Sequence, residues 1–142
     1  MYIKQLSVFV ENRKGRLDEV LEVLKKNDIN IISLSLADTS DYGLLRLIVS
    51  DPEKARENLK TEGFSAMLTD VLAIKLTHRV GRLQELLEKI CGSSINIEYM
   101  YALSTGADDA SIVFKPSDMG KAVEVIKNEE VDFVTTEEIA SM

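Results

Sequence analysis

The sequence has few of the residues that form cross-links or ligate metals. It contains one cysteine, Cys91, and one histidine, His78, among 142 residues. A single cysteine excludes a disulfide within the chain, and we expect a reducing, cytoplasmic location. Because there is no Cys-x-x-Cys pair, a thiolate metal site lacks its ligands, and neither a metal nor another cofactor is predicted.

Long apolar runs and excess positive charge are also absent. The first residues, "MYIKQLSVFVENRKG", contain no continuous apolar core, and no apolar run approaches the length of a membrane span. We therefore expect neither a secretory signal nor a membrane partner. The formal net charge of −7 argues against binding to a nucleic-acid backbone, which needs a basic face.

What the sequence does contain is typical of a folded globular chain with an internal repeat. Apolar residues make up 45% and charged residues 29%, and no biased tract suggests disorder. The passage "NRKGRLDEVLEVLKKNDINI" begins at Asn12, and "HRVGRLQELLEKICGSSINI" begins at His78. Ten of the twenty positions are identical at an offset of 66. The identical pairs are Arg13/Arg79, Gly15/Gly81, Arg16/Arg82, Leu17/Leu83, Glu19/Glu85, Leu21/Leu87, Glu22/Glu88, Ile29/Ile95, Asn30/Asn96 and Ile31/Ile97.

The repeat predicts two domains, residues 1–70 and 71–142. Each would be close to the lower size limit for a self-sufficient core, so we expect the two to support each other. No glycine-, proline- or serine-rich spacer lies at residues 69–72, which favours a rigid, pseudo-symmetric pair.

Hydrophobic periodicity predicts the same element order in both halves. Alternating apolar residues indicate strands, and apolar steps of three and four indicate helices. In the first half the predicted strands are 2–10, 29–37, 44–49 and 64–69, and the change of alternation within 29–37 indicates either a bulge or burial on both faces. The first helix carries Leu17, Val20, Leu21 and Leu24, and the second begins at Ser50 or Asp51. In the second half the predicted strands are 72–76, 95–103, 111–114 and 131–136. The first helix carries Leu83, Leu86, Leu87 and Ile90, and the second begins at Ser117 or Asp118.

Each half therefore reads β-α-β-β-α-β, which predicts an α+β protein of two ferredoxin-like domains with antiparallel sheets packed side by side. With the glycine loop before the first helix and "Ile-Asn-Ile" at the second strand, this order resembles the ACT domain, twice over essentially the whole chain. First loops in that family read Asp-x-Pro-Gly-x-Leu, and here they read "NRKGRL" and "HRVGRL". The glycine and leucine match, whereas Asn12 or His78 replaces the aspartate and Lys14 or Val80 the proline.

The resemblance implies a stand-alone regulatory or sensor protein that binds a small effector, most often an amino acid. It places the ligand where the first loop of one domain faces the second strand of a neighbour. The implied first set is Asn12, Arg13, Lys14, Gly15, Arg16, Leu17, Asn30 and Ile31. The implied second set is His78, Arg79, Val80, Gly81, Arg82, Leu83, Asn96 and Ile97.

The loop residues themselves are compatible with an anionic ligand. Free N–H groups at a helix start, approached closely beside glycine, suit a carboxylate. Five basic residues at two positive helix ends also indicate an anion, although these arginines could instead be solvated or pair with Glu19 and Glu85. Tyr99 and Tyr101 share one strand face, opposite Ser33 and Ser35 in the other copy, and are either core residues or one wall of a ligand pocket.

No catalytic constellation is recognisable, so we predict that the protein is not an enzyme. His78 has no serine, cysteine or second histidine at a recognisable spacing, and Cys91 is predicted to be a buried or half-buried packing residue. The segment "YGLLRLIV" faintly resembles a strand of RNA-binding domains but lacks their stacking aromatics. The alternative to an amino-acid sensor is a ligand-free interaction module, with a homodimer or a regulated enzyme as partner. Of the two loops, the one at Asn12–Leu17 is expected to hold the dominant site.

Overall fold

A computed structural model describes residues 2–38, 41–76, 79–104 and 110–142. These residues pack as two compact units. The first unit consists of Lys4–Thr69 and Glu137–Met142, and the second consists of Asp70–Thr136 and the residues before Lys4.

The first unit is an antiparallel sheet with two helices on one face. Its strands are β1 (Ile3–Glu11), β2 (Ile31–Asp38), β3 (Tyr42–Val49) and the first part of β4 (Ser65–Leu76), in the order β2-β3-β1-β4. Its helices are α1 (Arg16–Lys26) and α2 (Pro52–Thr61). Leu6, Val8 and Val10 alternate along β1 and form one buried cluster with Val20, Leu24 and Leu59 of the helices. The amphipathic pattern of the sequence thus produces the layered packing that was predicted.

The second unit repeats this arrangement. The later part of β4, β5 (Ile97–Ser104) and β6 (Ala110–Pro116) follow the order β4-β6-β5, and the helices are α3 (Arg82–Gly92) and α4 (Met119–Lys127). Its core contains Leu72, Ile74, Leu86, Ile90, Phe114 and Ile126. The register shifts between Ile97 and Tyr99 in β5, as it shifts between Ile31 and Ser33 in β2, which confirms the bulge predicted for the first copy.

Both copies begin their second helix with an aspartate cap. The Asp51 side chain accepts a hydrogen bond from Lys54 N at 3.2 Å, and that of Asp118 accepts one from Lys121 N at 3.0 Å. Ser50, the other candidate cap, instead accepts a hydrogen bond from Asn30 N through its Oγ at 2.9 Å. In the first copy, therefore, the serine hydroxyl binds the residue before β2 and the aspartate caps the helix.

The strand predicted at residues 131–136 is wrong. Only an isolated bridge between Ile74 and Phe133 forms there, with Lys75 N donating to Asp132 O and Val134 N donating to Ala73 O, both at 2.8 Å. A fifth helix, α5 (Thr136–Ala140), follows immediately. The reason is local: threonine followed by two glutamates favours a helix start, which ends the extended segment early.

Candidate functional site

The first loop turns the chain from the end of β1 into α1. Gly15 adopts the left-handed conformation with φ of +88°, a region that residues with a side chain rarely occupy. No side-chain hydrogen bond caps this end of the helix. Because the first N–H groups of a helix have no intrahelical acceptor, the loop presents donors at the positive end of the helix dipole.

The second loop reproduces this backbone geometry. Gly81 has φ of +82°, and again no side chain caps the helix that follows. Arg82 N donates to Arg79 O at 3.1 Å, matching the bond from Arg16 N to Arg13 O at 3.3 Å. Val80 is almost completely exposed, whereas the predicted ligand residue His78 lies outside the described residues.

The arginines of both loops are paired with carboxylates of the chain, which confirms that alternative for Glu19 and Glu85. Arg16 Nη1 donates to Glu19, and Arg13 Nε lies 2.9 Å from Glu11 Oε2. In the second unit both terminal nitrogens of Arg79 donate to Glu85, at 3.2 and 2.8 Å. Lys14 is exposed and has no ion-pair partner among the residues that the structure describes.

The Arg79–Glu85 pair changes the protonation chemistry of the second loop. The hydrogen bonds from Arg79 lower the pKa of the Glu85 carboxyl from its ordinary value, and the positive charges of Arg79, Arg82 and Lys89 act in the same direction. The same pair raises the pKa of Arg79. The pairing therefore favours the ionised form of Glu85 and keeps Arg79 hydrogen-bonded to it.

Two clefts border the first loop, and a third borders the second. The loop–strand cleft, of about 230 Å³, is lined by Val10, Glu11, Asn12, Arg13, Leu17, Leu36 and Gly43. The aromatic cleft, of about 400 Å³, is lined by Phe9, Glu11, Arg16, Tyr42, Gly63, Phe64 and Ser65. The cleft beside the second loop, of about 650 Å³, is lined by Arg79, Gly81, Arg82, Leu83, Gln84, Leu87, Glu88 and Cys91.

Cys91 lies exposed in this last cleft, so its predicted interior packing is wrong. The buried stripe of α3 contains Leu86 and Ile90. A residue one position after Ile90 is rotated by about 100° around a helix, which carries Cys91 off the buried face.

The second-strand residues lie apart from the loop of their own unit. Asn30 and Ile31 line a separate cleft at the C-terminal end of α1, where Asn30 Nδ2 donates to Met142 O at 3.1 Å. Asn96 and Ile97 occupy the equivalent place after α3, and Asn96 N donates to Ser117 Oγ at 2.9 Å, as Asn30 N does to Ser50 Oγ. Within a unit, these residues line none of the three clefts described above that border the first loops.

Tyr99 and Tyr101 are half-buried on one face of β5. They are opposite Lys115 and Val113 of β6 and both engage in further interactions. Ser33 and Ser35 are likewise half-buried on β2.

Sequence reasoning missed the aromatic cleft. Phe9, Tyr42 and Phe64 come from three separate segments, the end of one strand, the start of another and the turn after α2. They are three of only eight phenylalanines and tyrosines in the chain, and their scarcity was the one available signal.

Across 2–38, 41–76, 79–104 and 110–142, no three His, Cys, Asp or Glu side chains group in a way that could hold a metal ion. No helix within these ranges is long and apolar enough to cross a membrane.

Known proteins with solved structures share this architecture. The crystal structure of protein BT0572 from Bacteroides thetaiotaomicron is 41% identical, with a TM-score of 0.93, covering 100% of this chain and 98% of that chain. The ligand-free regulatory subunit of aspartate kinase from Thermus thermophilus is 15% identical, with a TM-score of 0.63 over 88% of this chain and 91% of that chain. The corresponding subunit from Thermus flavus is 17% identical, with a TM-score of 0.60 over 88% and 90%.

No curated protein matches the chain. The family model for the ACT domain pair, in contrast, matches residues 1–142. The fold agrees with that match, since each unit carries the ferredoxin-like arrangement of an antiparallel sheet and two helices. The chain therefore belongs to the family of ACT domain pairs, which are regulatory domains.

Proposed function

We propose that this protein is a stand-alone regulator that binds an amino acid and has no catalysis of its own. Its two ACT domains would be residues 1–70 and 71–142, and its dominant site the first loop, Asn12–Leu17. One observation carries the proposal. Gly15 leads into an uncapped helix start, and the loop borders a cleft that offers both charged and apolar side chains.

The loop–strand cleft suits the parts of an amino acid. A carboxylate at the helix start accepts from N–H groups at the positive end of the dipole, with Arg13 beside it. Glu11 can accept from the ammonium group, and Leu17 and Leu36 supply apolar surface for the side chain. The cleft volume of about 230 Å³ favours a small ligand.

We further propose that the second strand of a neighbouring ACT domain completes each site. Asn30 and Ile31 would serve one site, and Asn96 and Ile97 the other, with Tyr99 and Tyr101 forming a wall of the first. The loop at His78–Leu83 would be the weaker site. Arg79 there is held by Glu85 through two hydrogen bonds, and Val80 offers no charge.

The experiment is thermal unfolding of the full chain with each of the twenty amino acids in turn. A ligand at 100 times its Kd adds about 2.7 kcal/mol to the free energy of unfolding. For a chain of this size, with an unfolding entropy of about 2.1 cal/mol/K per residue, we expect a rise in Tm of about 9 °C for the cognate ligand. No shift with any of the twenty would contradict the proposal.

A matched pair of variants locates the site. Both glycines have positive φ, and an added Cβ at either meets no atom within 4 Å, so Gly15→Ala and Gly81→Ala carry the same backbone strain. Gly15→Ala puts a methyl group where the ligand approaches, and we expect it to weaken binding about tenfold, roughly 1.4 kcal/mol. Gly81→Ala should change affinity less; equal losses would refute the assignment to the first loop.

A second candidate function is a ligand-free interaction module. Two observations favour it: the loop arginines are already paired with carboxylates, and the edge strand β2 exposes Leu34 and Leu36. Exposed apolar side chains on a sheet edge favour association with another chain. Light scattering of the wild-type chain and of Leu34→Lys distinguishes the two functions. Only the interaction module would assemble without responding to a ligand and lose that assembly in Leu34→Lys.

A further inference from the structure

Arg16 has one edge of its guanidinium without a hydrogen-bond acceptor. Nη1 donates to Glu19, but Nη2 lies 4.0 Å from Glu11 Oε1, which is beyond hydrogen-bond length. Nε is buried and has no hydrogen-bond partner among the described residues. The N–H groups of Nε and Nη2 point the same way and form the fork that binds a carboxylate through both oxygens.

This fork is held in place by an aromatic ring. The Arg16 guanidinium carbon lies 4.3 Å from the centroid of the Phe64 ring, and only 18% of the Arg16 side chain is exposed. Stacking on a ring fixes the plane of the guanidinium and reduces the entropy lost when a ligand binds. The other oxygen of Glu11, Oε2, lies 2.9 Å from Arg13 Nε.

The equivalent arginine of the second unit, Arg82, has a partner near each of its terminal nitrogens. Arg82 Nη2 donates to the Glu129 backbone oxygen at 3.5 Å, and Arg82 Nη1 lies 3.7 Å from Glu85. Val131 stands where the first unit has Phe64, and Lys75 where it has Phe9. The open fork and its aromatic surroundings are therefore particular to the first unit.

Apolar surface lies beside the open fork. Phe9 and Tyr42 are 43% and 46% exposed, and their rings meet edge to face with centroids 5.9 Å apart. Together with Phe64 and Arg16 they line the aromatic cleft of about 400 Å³. This volume is within the range of small-molecule sites, and exposed rings that contact an apolar group gain from its burial.

We propose that the aromatic cleft binds a small carboxylate with an apolar body. The carboxylate binds along the Nε–Nη2 edge of Arg16, where the atoms that cover the buried Nε must move aside, and Phe9 and Tyr42 contact the apolar part. When the ligand is an α-amino acid, Glu11 accepts from its ammonium group. In that form the inference rests on the proposed function but assigns the ligand to a cleft that shares only Glu11 with the loop–strand cleft.

The test is calorimetric titration of the full chain with three probes: 3-phenylpropionate, L-phenylalanine and phenethylamine. The first two carry a carboxylate and should bind, whereas phenethylamine lacks one and should not. Arg16→Lys keeps the charge but loses the fork and the stacked plane, so it should weaken both carboxylates at least tenfold. The control Arg56→Lys, at an arginine of α2 that lines none of these clefts, should leave both affinities within twofold.

Glu11→Gln is a second test, at an exposed residue. It remains informative if Arg16→Lys does not fold. It should weaken L-phenylalanine several-fold, because the ammonium loses its acceptor. It should leave 3-phenylpropionate unchanged or slightly tighter, because a negative charge near its carboxylate is removed. Equal weakening of both probes would overturn the assignment of Glu11.

The outcomes separate this inference from the proposed function. If an amino acid binds and its affinity falls with Arg13→Lys but not with Arg16→Lys, the inference is overturned while the proposed function stands. If only 3-phenylpropionate binds, in an Arg16-dependent way, the inference stands and amino-acid binding fails. No binding of either carboxylate at millimolar concentration overturns the inference.

Discussion

The two first loops have the same backbone and different side-chain chemistry. Gly15 and Gly81 share their left-handed conformation, and Glu19 N and Glu85 N donate to Gly15 O and Gly81 O, both at 3.0 Å. In the first loop, however, Arg16 stacks on Phe64 and its Nε has no partner among the described residues, whereas its counterpart Arg82 donates through Nη2 to the Glu129 backbone oxygen. A duplicated scaffold can therefore keep its geometry while the electrostatics of its copies diverge, because backbone conformation and side-chain pairing depend on different residues.

The largest expected effect tests whether the two cores are equivalent. Leu24 and Ile90 lie 66 positions apart and are both fully buried. Leu24→Ala and Ile90→Ala should each lower the free energy of unfolding by about 2–5 kcal/mol, since each leaves a cavity. Urea denaturation measures this, with the exposed Glu22→Ala as control. A decrease in the free energy of unfolding below about 1 kcal/mol in only one of the two variants would show that the two cores are not equivalent.

The glycine substitutions test the shared backbone directly. Alanine at Gly15 or Gly81 must adopt positive φ, which costs about 1–2 kcal/mol for a residue with a side chain. We expect equal losses of stability in Gly15→Ala and Gly81→Ala without ligand. Thermal unfolding of both variants against wild type checks this, and a difference larger than about 1 kcal/mol would show that the loops are not backbone equivalents.

The caps of α2 and α4 should also be equivalent. Asp51→Ala and Asp118→Ala each remove one bond to a helix N–H, and each should cost about 1 kcal/mol. The asparagine variants at the same positions keep an acceptor oxygen and serve as controls. Stability unchanged by either alanine substitution would contradict the role of that cap.

The smallest expected effect concerns the Arg79–Glu85 ion pair of the second unit. Because Arg79 lowers the pKa of Glu85, the stability that this pair contributes is present above the unfolded pKa and is lost as pH falls through the folded pKa. The pair is exposed, so the contribution is small and screened by salt. NMR titration of the Glu85 carboxyl should give a midpoint below its ordinary value, and Arg79→Gln should raise it. A midpoint that does not respond to Arg79→Gln would disprove the coupling.

The sequence was informative wherever a pattern is local. Apolar alternation along β1 and the aspartates at 51 and 118 predict elements that the structure contains, since strand alternation and caps depend on neighbouring residues. The last strand failed because Thr135, Thr136 and the glutamates that follow favour a helix. Apolar spacing on α3 predicted its buried face but not the exposure of Cys91, which lies just beyond that face.

The candidate site was harder to predict than the fold. The glycine loops could be located from the repeat, and the pairing of Arg79 with Glu85 was foreseeable as one alternative. The aromatic cleft was not, because Phe9, Tyr42 and Phe64 meet only after the strands have paired. Contacts between residues distant in sequence leave no periodic signal, and the open edge of Arg16 depends on such contacts.

The placement of α5 has a consequence for the order in which the protein is made. Ile139 is buried, and residues 137–142 belong to the unit that otherwise ends at Thr69. On a ribosome that adds about 5–20 residues per second, the first unit waits several seconds for this segment while the whole second unit is synthesised. The unit that is first in the sequence therefore receives its final segment only after the second unit has been synthesised.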